Sequence, residues 1–154
     1  MWVKNMDEMY MKLAFKEAEK AFNILEVPVG AIVVHNGKVI ATGYNMRETT
    51  KDPTAHAEII AIKKASEYLG GWRLLDCTMY VTLEPCPMCA GAILNSRIDR
   101  LVIGTKDYKM GCCGTVVDLL HNNNFNHSVD TKFGVLETEC REILKTFFKK
   151  LRQK

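Results

Sequence analysis

The first 76 residues contain no cysteine, and the six in the chain stand at 77, 86, 89, 112, 113 and 140. A disulfide scaffold spreads its cysteines over its loops, so this clustering argues against one and for a reducing compartment. No stretch approaches the roughly 18 apolar residues that a membrane span needs. The opening Met-Trp-Val-Lys-Asn-Met-Asp-Glu lacks the basic start and apolar run of a signal peptide. Repeats, low-complexity tracts and linkers are missing as well. The expectation is a cytoplasmic protein with no membrane partner. The chain has 154 residues, of which 47% are hydrophobic and 25% charged, which is neither disordered nor fibrous. That length suits a single domain over 1–154.

Net charge is small, at +3, but unevenly spread. Residues 141–154 carry six Lys or Arg and one Glu, while the other 140 residues carry 15 basic and 17 acidic side chains. The excess of positive charge therefore sits at the C-terminal end. It reads either as a solvated helix end whose cations suit the helix dipole, or as a patch that attracts phosphates.

Apolar residues at Met6, Met9, Tyr10, Leu13, Ala14, Ala21, Phe22 and Leu25 predict an amphipathic helix over 6–25, with Asn5 and Glu8 as a capping pair. Residues 30–34 and 39–44 flank Asn36-Gly37, a strong hairpin signal. Residues 45–52 read as a loop, and Asp52-Pro53 as the start of a helix reaching Leu69, where Gly70-Gly71 ends it. Strands are expected over 78–83, 100–104 and 129–135, and helices over 87–95, 115–121 and from about Thr138 to the end. The order implies a mixed sheet with helices on both faces, and a parallel pair joined by a right-handed crossover.

The chemistry lies in Thr54-Ala55-His56-Ala57-Glu58 and Glu84-Pro85-Cys86-Pro87-Met88-Cys89. Cys-x-x-Cys alone can be half a zinc site, a redox pair or chance. There is no second such motif, and a redox pair leaves His56 and Glu58 without a task. Zinc accounts for all four residues. Two thiolates and an imidazole suit Zn²⁺, and three protein ligands leave one tetrahedral position for water. Cys86 and Cys89 at a helix start can face one metal, and the positive helix end favours thiolates. His56 and Glu58 would point about 200° apart in a helix, so the metal should lie off the helix N-terminus. Glu58 then serves as a proton carrier beside the zinc. A zinc with two thiolates and a neutral imidazole has no net formal charge, so a nearby base is useful. A structural zinc site is the alternative, with a fourth ligand from Cys112, Cys113, His121 or His127.

His-x-Glu with Pro-Cys-x-x-Cys is the known signature of zinc-dependent nucleobase deaminases, so this chemistry is recognised rather than deduced. Further segments extend the match. They are Glu26-Val27-Pro28-Val29-Gly30-Ala31, Asp52 to Glu58, Tyr80 to Cys86 and Met88-Cys89-Ala90-Gly91-Ala92. Beyond them lie Ser96-Arg97-Ile98, Asp107, Asn126-His127 and Phe147-Phe148. Over nearly its whole length the chain resembles the family of bacterial tRNA-specific adenosine deaminases.

That resemblance implies conversion of the wobble adenosine of an arginine tRNA anticodon to inosine. It implies an α/β chain with the three-layer α/β/α cytidine-deaminase-like fold and a mixed central sheet of about five strands. It also implies one Zn²⁺ per subunit on His56, Cys86 and Cys89, with Glu58 as proton shuttle, and a homodimer whose active sites include both chains. Asn45 is expected to contact the flipped nucleotide, and Asp107 and the final helix to follow the RNA path. Val29, Phe148 and Arg152 complete the candidate substrate contacts. Pro87 and Cys112-Cys113 depart from the usual pattern.

Blander roles stand beside these. Asn45 could end a strand, Asp107 could cap a turn, and only one of Phe147 and Phe148 can face the core. Cys77 and Cys140 read as small buried hydrophobes, and Met88 as a packing residue. Two rival functions also stand: a deaminase of free guanine, cytosine or cytidine, and a non-catalytic zinc-stabilised RNA-binding module.

Overall fold

The Asn36-Gly37 hairpin forms in the computed structural model of the chain, which describes residues 2–153, with side chains from Met6 onward. Strand β1 (Gly30–His35) runs antiparallel to β2 (Lys38–Tyr44). Asn36 and Gly37 adopt φ of 50° and 74°, the left-handed pair that a two-residue turn requires. β1 also pairs antiparallel with β3 (Cys77–Leu83), which runs parallel to β4 (Arg100–Thr105), itself parallel to β5 (Asp130–Phe133). The sheet order is β2-β1-β3-β4-β5, the five-stranded mixed sheet expected.

Alternation along the strands builds two cores. Val33, Met79, Val81, Leu101 and Ile103 face one side, where they meet helices α3 (Ala57–Leu69) and α4 (Pro87–Asn95). Ile32, Val34, Tyr80 and Val102 face the other, against α1 (Trp2–Asn23) and Cys140 of α5 (Glu137–Arg152). Three layers result. No helix among the described residues is long and apolar enough to cross a membrane.

A buried carboxylate fastens the second face. Asp7 accepts from the two terminal Arg100 guanidinium nitrogens at 2.8 Å, from Lys132 Nζ at 3.0 Å and from the Tyr80 hydroxyl at 2.9 Å. Burial alone would raise its pKa. The three donors outweigh burial and hold Asp7 at about 2.

Four expectations need correction. α1 begins at Trp2, so Asn5 lies inside the helix rather than at its cap. Its buried stripe includes Met11 and Ala18, whereas Met9 and Leu25 are exposed. The helix expected from Pro53 begins at Ala57, because the Asp52 carboxylate captures the Thr54 amide at 2.8 Å and its hydroxyl at 2.7 Å, forming a turn. The helix expected over 115–121 is absent. Turns and a bridge between Cys113 and Asp118 replace it. In the loop expected over 45–52, a one-turn helix, α2 (Arg47–Thr50), is held by Glu26, which accepts the Glu48 and Thr49 amides at 3.1 and 2.6 Å.

Candidate active site

The site forms where the C-terminal ends of β2, β3 and β4 meet the start of β1. β3 runs through Leu83 into Glu84-Pro85, and Cys86 is the N-cap of α4. Pro87 occupies the first turn of α4, where its missing N–H costs nothing. His56 is the N-cap of α3, and Glu58 lies in that helix's first turn. Two helix N-termini therefore converge, and both favour anionic ligands.

His56 Nδ1 lies 3.7 Å from Cys86 Sγ and 3.4 Å from Cys89 Sγ. One ligand atom from each of the three residues falls within 4.8 Å of the others. Among the described residues no fourth His, Cys, Asp or Glu joins them, so Cys112, Cys113, His121 and His127 do not close the site. A hydrogen bond from Cys89 lowers the Cys86 thiol to about 4, while that same bond and burial push Cys89 far up. The two thiols, hydrogen-bonded to each other beside His56, hold a proton between them. A divalent cation with borderline softness fits this donor set, since it can replace the shared proton and hold both sulfurs as thiolates.

Glu58 is not in the ligand group. It is 4% exposed, and burial raises it from the ordinary carboxylate range to about 7, against the lowering effect of His56. A carboxyl poised there can both take and give a proton near neutral pH.

His56, Glu58 and Cys86 open on a cavity of about 250 Å³, whose wall also includes Val29, Asn45, Arg47 and Asp107. Seven of the nine predicted site residues therefore come together, Cys89 being buried behind Cys86. Asn45 is already engaged: its Nδ2 donates to Val27 O at 3.1 Å, and its Oδ1 accepts the Ala57 amide at 2.9 Å. It tethers α3 to the β1 entry and still faces the cavity. Asp107 caps a turn as well, with Oδ1 accepting the Lys109 and Met110 amides at 3.0 and 3.1 Å.

Phe148 and Arg152 lie elsewhere, in a groove of about 630 Å³ between α5 and the loop after β4. Lys106, Lys109, Arg141, Lys145 and Lys149 share that groove. Arg141 and Lys145 pair with Glu137 and Glu142, whereas Lys106, Lys109, Lys149 and Arg152 form no ion pair among the described residues. Phe147 is buried and Phe148 is 39% exposed, so one of the two neighbours does face outward.

Sequence reasoning missed Arg47, Met110 and Glu84 on the cavity wall. No spacing rule marks Arg47, whose helix α2 is held by Glu26 from a distant segment, and Glu84 stood in the cysteine segment without a role assigned to it.

A family model described as MafB19-like deaminase matches residues 5–152. The chain is 52% identical over 148 residues to the tRNA-specific adenosine deaminase of Bacillus subtilis, covering 96% of this chain and 92% of the relative. A solved structure from studies of A-to-I editing by tRNA:A34 deaminases superposes with a TM-score of 0.85 at 44% identity. It covers 88% of this chain and 99% of that one. A guanine deaminase from Bacillus subtilis is 42% identical but covers only 64% of each chain, with a TM-score of 0.62.

Proposed function

We infer that this chain, which belongs to the MafB19-like deaminases and to the tRNA-specific adenosine deaminase family, converts adenosine to inosine at the wobble position of a tRNA anticodon. The carrying observation for the chemistry is that His56, Cys86, Cys89 and Glu58 converge beside one cavity. Its volume of about 250 Å³ lies below the roughly 300–1,000 Å³ of a drug-sized site, which suits one extruded base and not a duplex. Anticodon bases can be splayed out without opening a helix.

His56, Cys86 and Cys89 would hold one Zn²⁺, which when bound makes water a nucleophile at neutral pH. Glu58 takes the proton from the water that attacks C6 of adenine. It passes that proton to the adjacent ring nitrogen, then takes the proton of the hydroxyl now on C6 and delivers it to the departing amine as the C6–N bond breaks. Water enters and ammonia leaves, and Glu58 ends as it began. Val29 and Asn45 flank the base, and Asp107 borders the loop that reaches the groove. Phe148, Arg152 and the unpaired lysines of the groove hold the flanking RNA by stacking and phosphate contact.

We further propose a homodimer, an arginine tRNA as substrate and the cytoplasm as compartment, each supported by the family resemblance. The test offers zinc-loaded protein an anticodon stem-loop with adenosine at the wobble position, beside free guanine and cytidine. Inosine in the stem-loop is expected. Ammonia from guanine or cytidine, with no inosine, would sink the assignment in favour of a free-base or nucleoside deaminase.

A further inference from the structure

Glu84 immediately precedes the Pro85-Cys86 turn and is 2% exposed. Both of its oxygens accept. Oε1 takes the Asp107 amide at 3.1 Å and the Thr115 hydroxyl. Oε2 takes the amides of Cys113 at 3.0 Å and Thr115 at 3.2 Å. All four donors belong to the segment after β4, which supplies Asp107 and Met110 to the cavity wall. Backbone bonds run beside them, from Glu84 N to Thr105 O at 2.9 Å and from Cys112 N to Pro85 O at 3.0 Å. Gly111 lies so close that an added Cβ would stand 2.5 Å from the Glu84 carboxyl carbon. The loop is folded directly onto the carboxylate, with no room for a side chain between them.

We propose that Glu84 is a positioning residue. It fixes the substrate-facing wall of Asp107 and Met110 against the turn that carries Cys86, and so sets the width of the cavity. The assignment rests on adenosine entering this cavity. The chemistry requires a carboxylate. Four donors converge on two oxygens, two on each, and a buried donor left without an acceptor is costly. An amide in its place would turn one oxygen into a donor facing two donors, whichever way round it sat. A carboxyl that merely filled space would tolerate that change.

The test is Glu84→Gln, read by amide hydrogen exchange, zinc content and steady-state kinetics on the anticodon stem-loop. The amides of Asp107, Cys113 and Thr115 exchange at least about 10-fold faster, while those of β3 and β4 do not change. KM rises about 10- to 100-fold with zinc still near one per chain, and kcat falls less. Thr115→Val removes one donor and raises KM only about 2- to 5-fold, with faster exchange at Asp107. Wild-type exchange and KM in Glu84→Gln overturn the proposal. So does a loss of zinc and kcat at constant KM, which makes Glu84 a prop for the metal turn alone. If Glu84→Gln does not fold, Thr115→Val decides, and unchanged exchange at Asp107 and Cys113 overturns it. Exchange needs no substrate, so a wild-type protein that makes no inosine refutes the functional reading without deciding the role of Glu84.

Discussion

The cavity beside His56 and the groove along α5 differ in the way that the proposed division of labour between chemistry and RNA holding requires. The cavity is the smaller, about 250 Å³ against about 630 Å³, and Arg47 is the one Lys or Arg on its wall. It desolvates Glu58 and gathers three metal-ligating atoms, which is what proton transfer and Lewis-acid chemistry need. The groove has no metal-ligating group on its wall but presents six basic side chains and two exposed aromatics, Tyr108 and Phe148. Exposed cations bind phosphates in a salt-screened and sequence-independent way. Size alone would point to the groove as the catalytic site. The chemistry of the lining residues points to the cavity instead.

The largest effect that separates the two regions follows from removing a metal ligand. Cys89→Ala should lose zinc, measured by atomic absorption, and drop inosine formation below detection. Its stem-loop affinity should stay within about 3-fold of wild type, since the proposed phosphate contacts lie in the groove. The converse change is Lys149→Ala with Arg152→Ala. It should raise KM about 10-fold, leave kcat nearly unchanged and lower the salt slope of binding by about 1 per lost phosphate contact.

pH should act on the cavity and not on the groove. Burial holds the Glu58 carboxyl above its ordinary range, so its base form accumulates only as pH rises towards about 7. The acid limb of kcat should therefore lie above the ordinary carboxylate range, near pH 4.5, while stem-loop affinity stays flat across that limb. The smallest effect on either region comes from Asp7, which touches neither. Asp7→Asn should cost about 2 kcal/mol of folding stability and leave kcat and KM in place. Its folded pKa, about 2, lies below the ordinary 3.8. The stability it contributes is therefore present above pH 3.8 and lost as pH falls through about 2, which acid titration of the wild type against Asp7→Asn measures.

How much of this was legible in the sequence depends on the range of the forces involved. His56, Glu58, Cys86 and Cys89 could be read because metal chemistry restricts residue type and local spacing together. The Asn36-Gly37 hairpin could be read because two residues determine its geometry. The helix expected at 115–121 failed because the Leu119 amide, which a helix would turn to Thr115 O, bonds Cys112 O at 3.0 Å instead, and the Leu120 amide goes to Asp118 Oδ1 at 3.1 Å. The helix at 47–50 went unseen because its cap, Glu26, lies 22 residues from Glu48. The start of α3 moved from Pro53 to Ala57 when Asp52 spent its carboxylate on Thr54. Long-range carboxylates leave no period in a sequence. The two substrate contacts assigned to the C-terminal helix, Phe148 and Arg152, were legible as charge and aromaticity, but not as a surface apart from the cavity.

The division of labour itself is tested by Glu58→Gln, measured at once for zinc content, stem-loop affinity across salt, and inosine. A cavity that does chemistry and a groove that holds RNA predict zinc near one per chain, wild-type affinity and salt slope, and kcat reduced at least about 10³-fold. Inosine formed at the wild-type rate, or affinity lost to the extent seen in the groove variants, would contradict it.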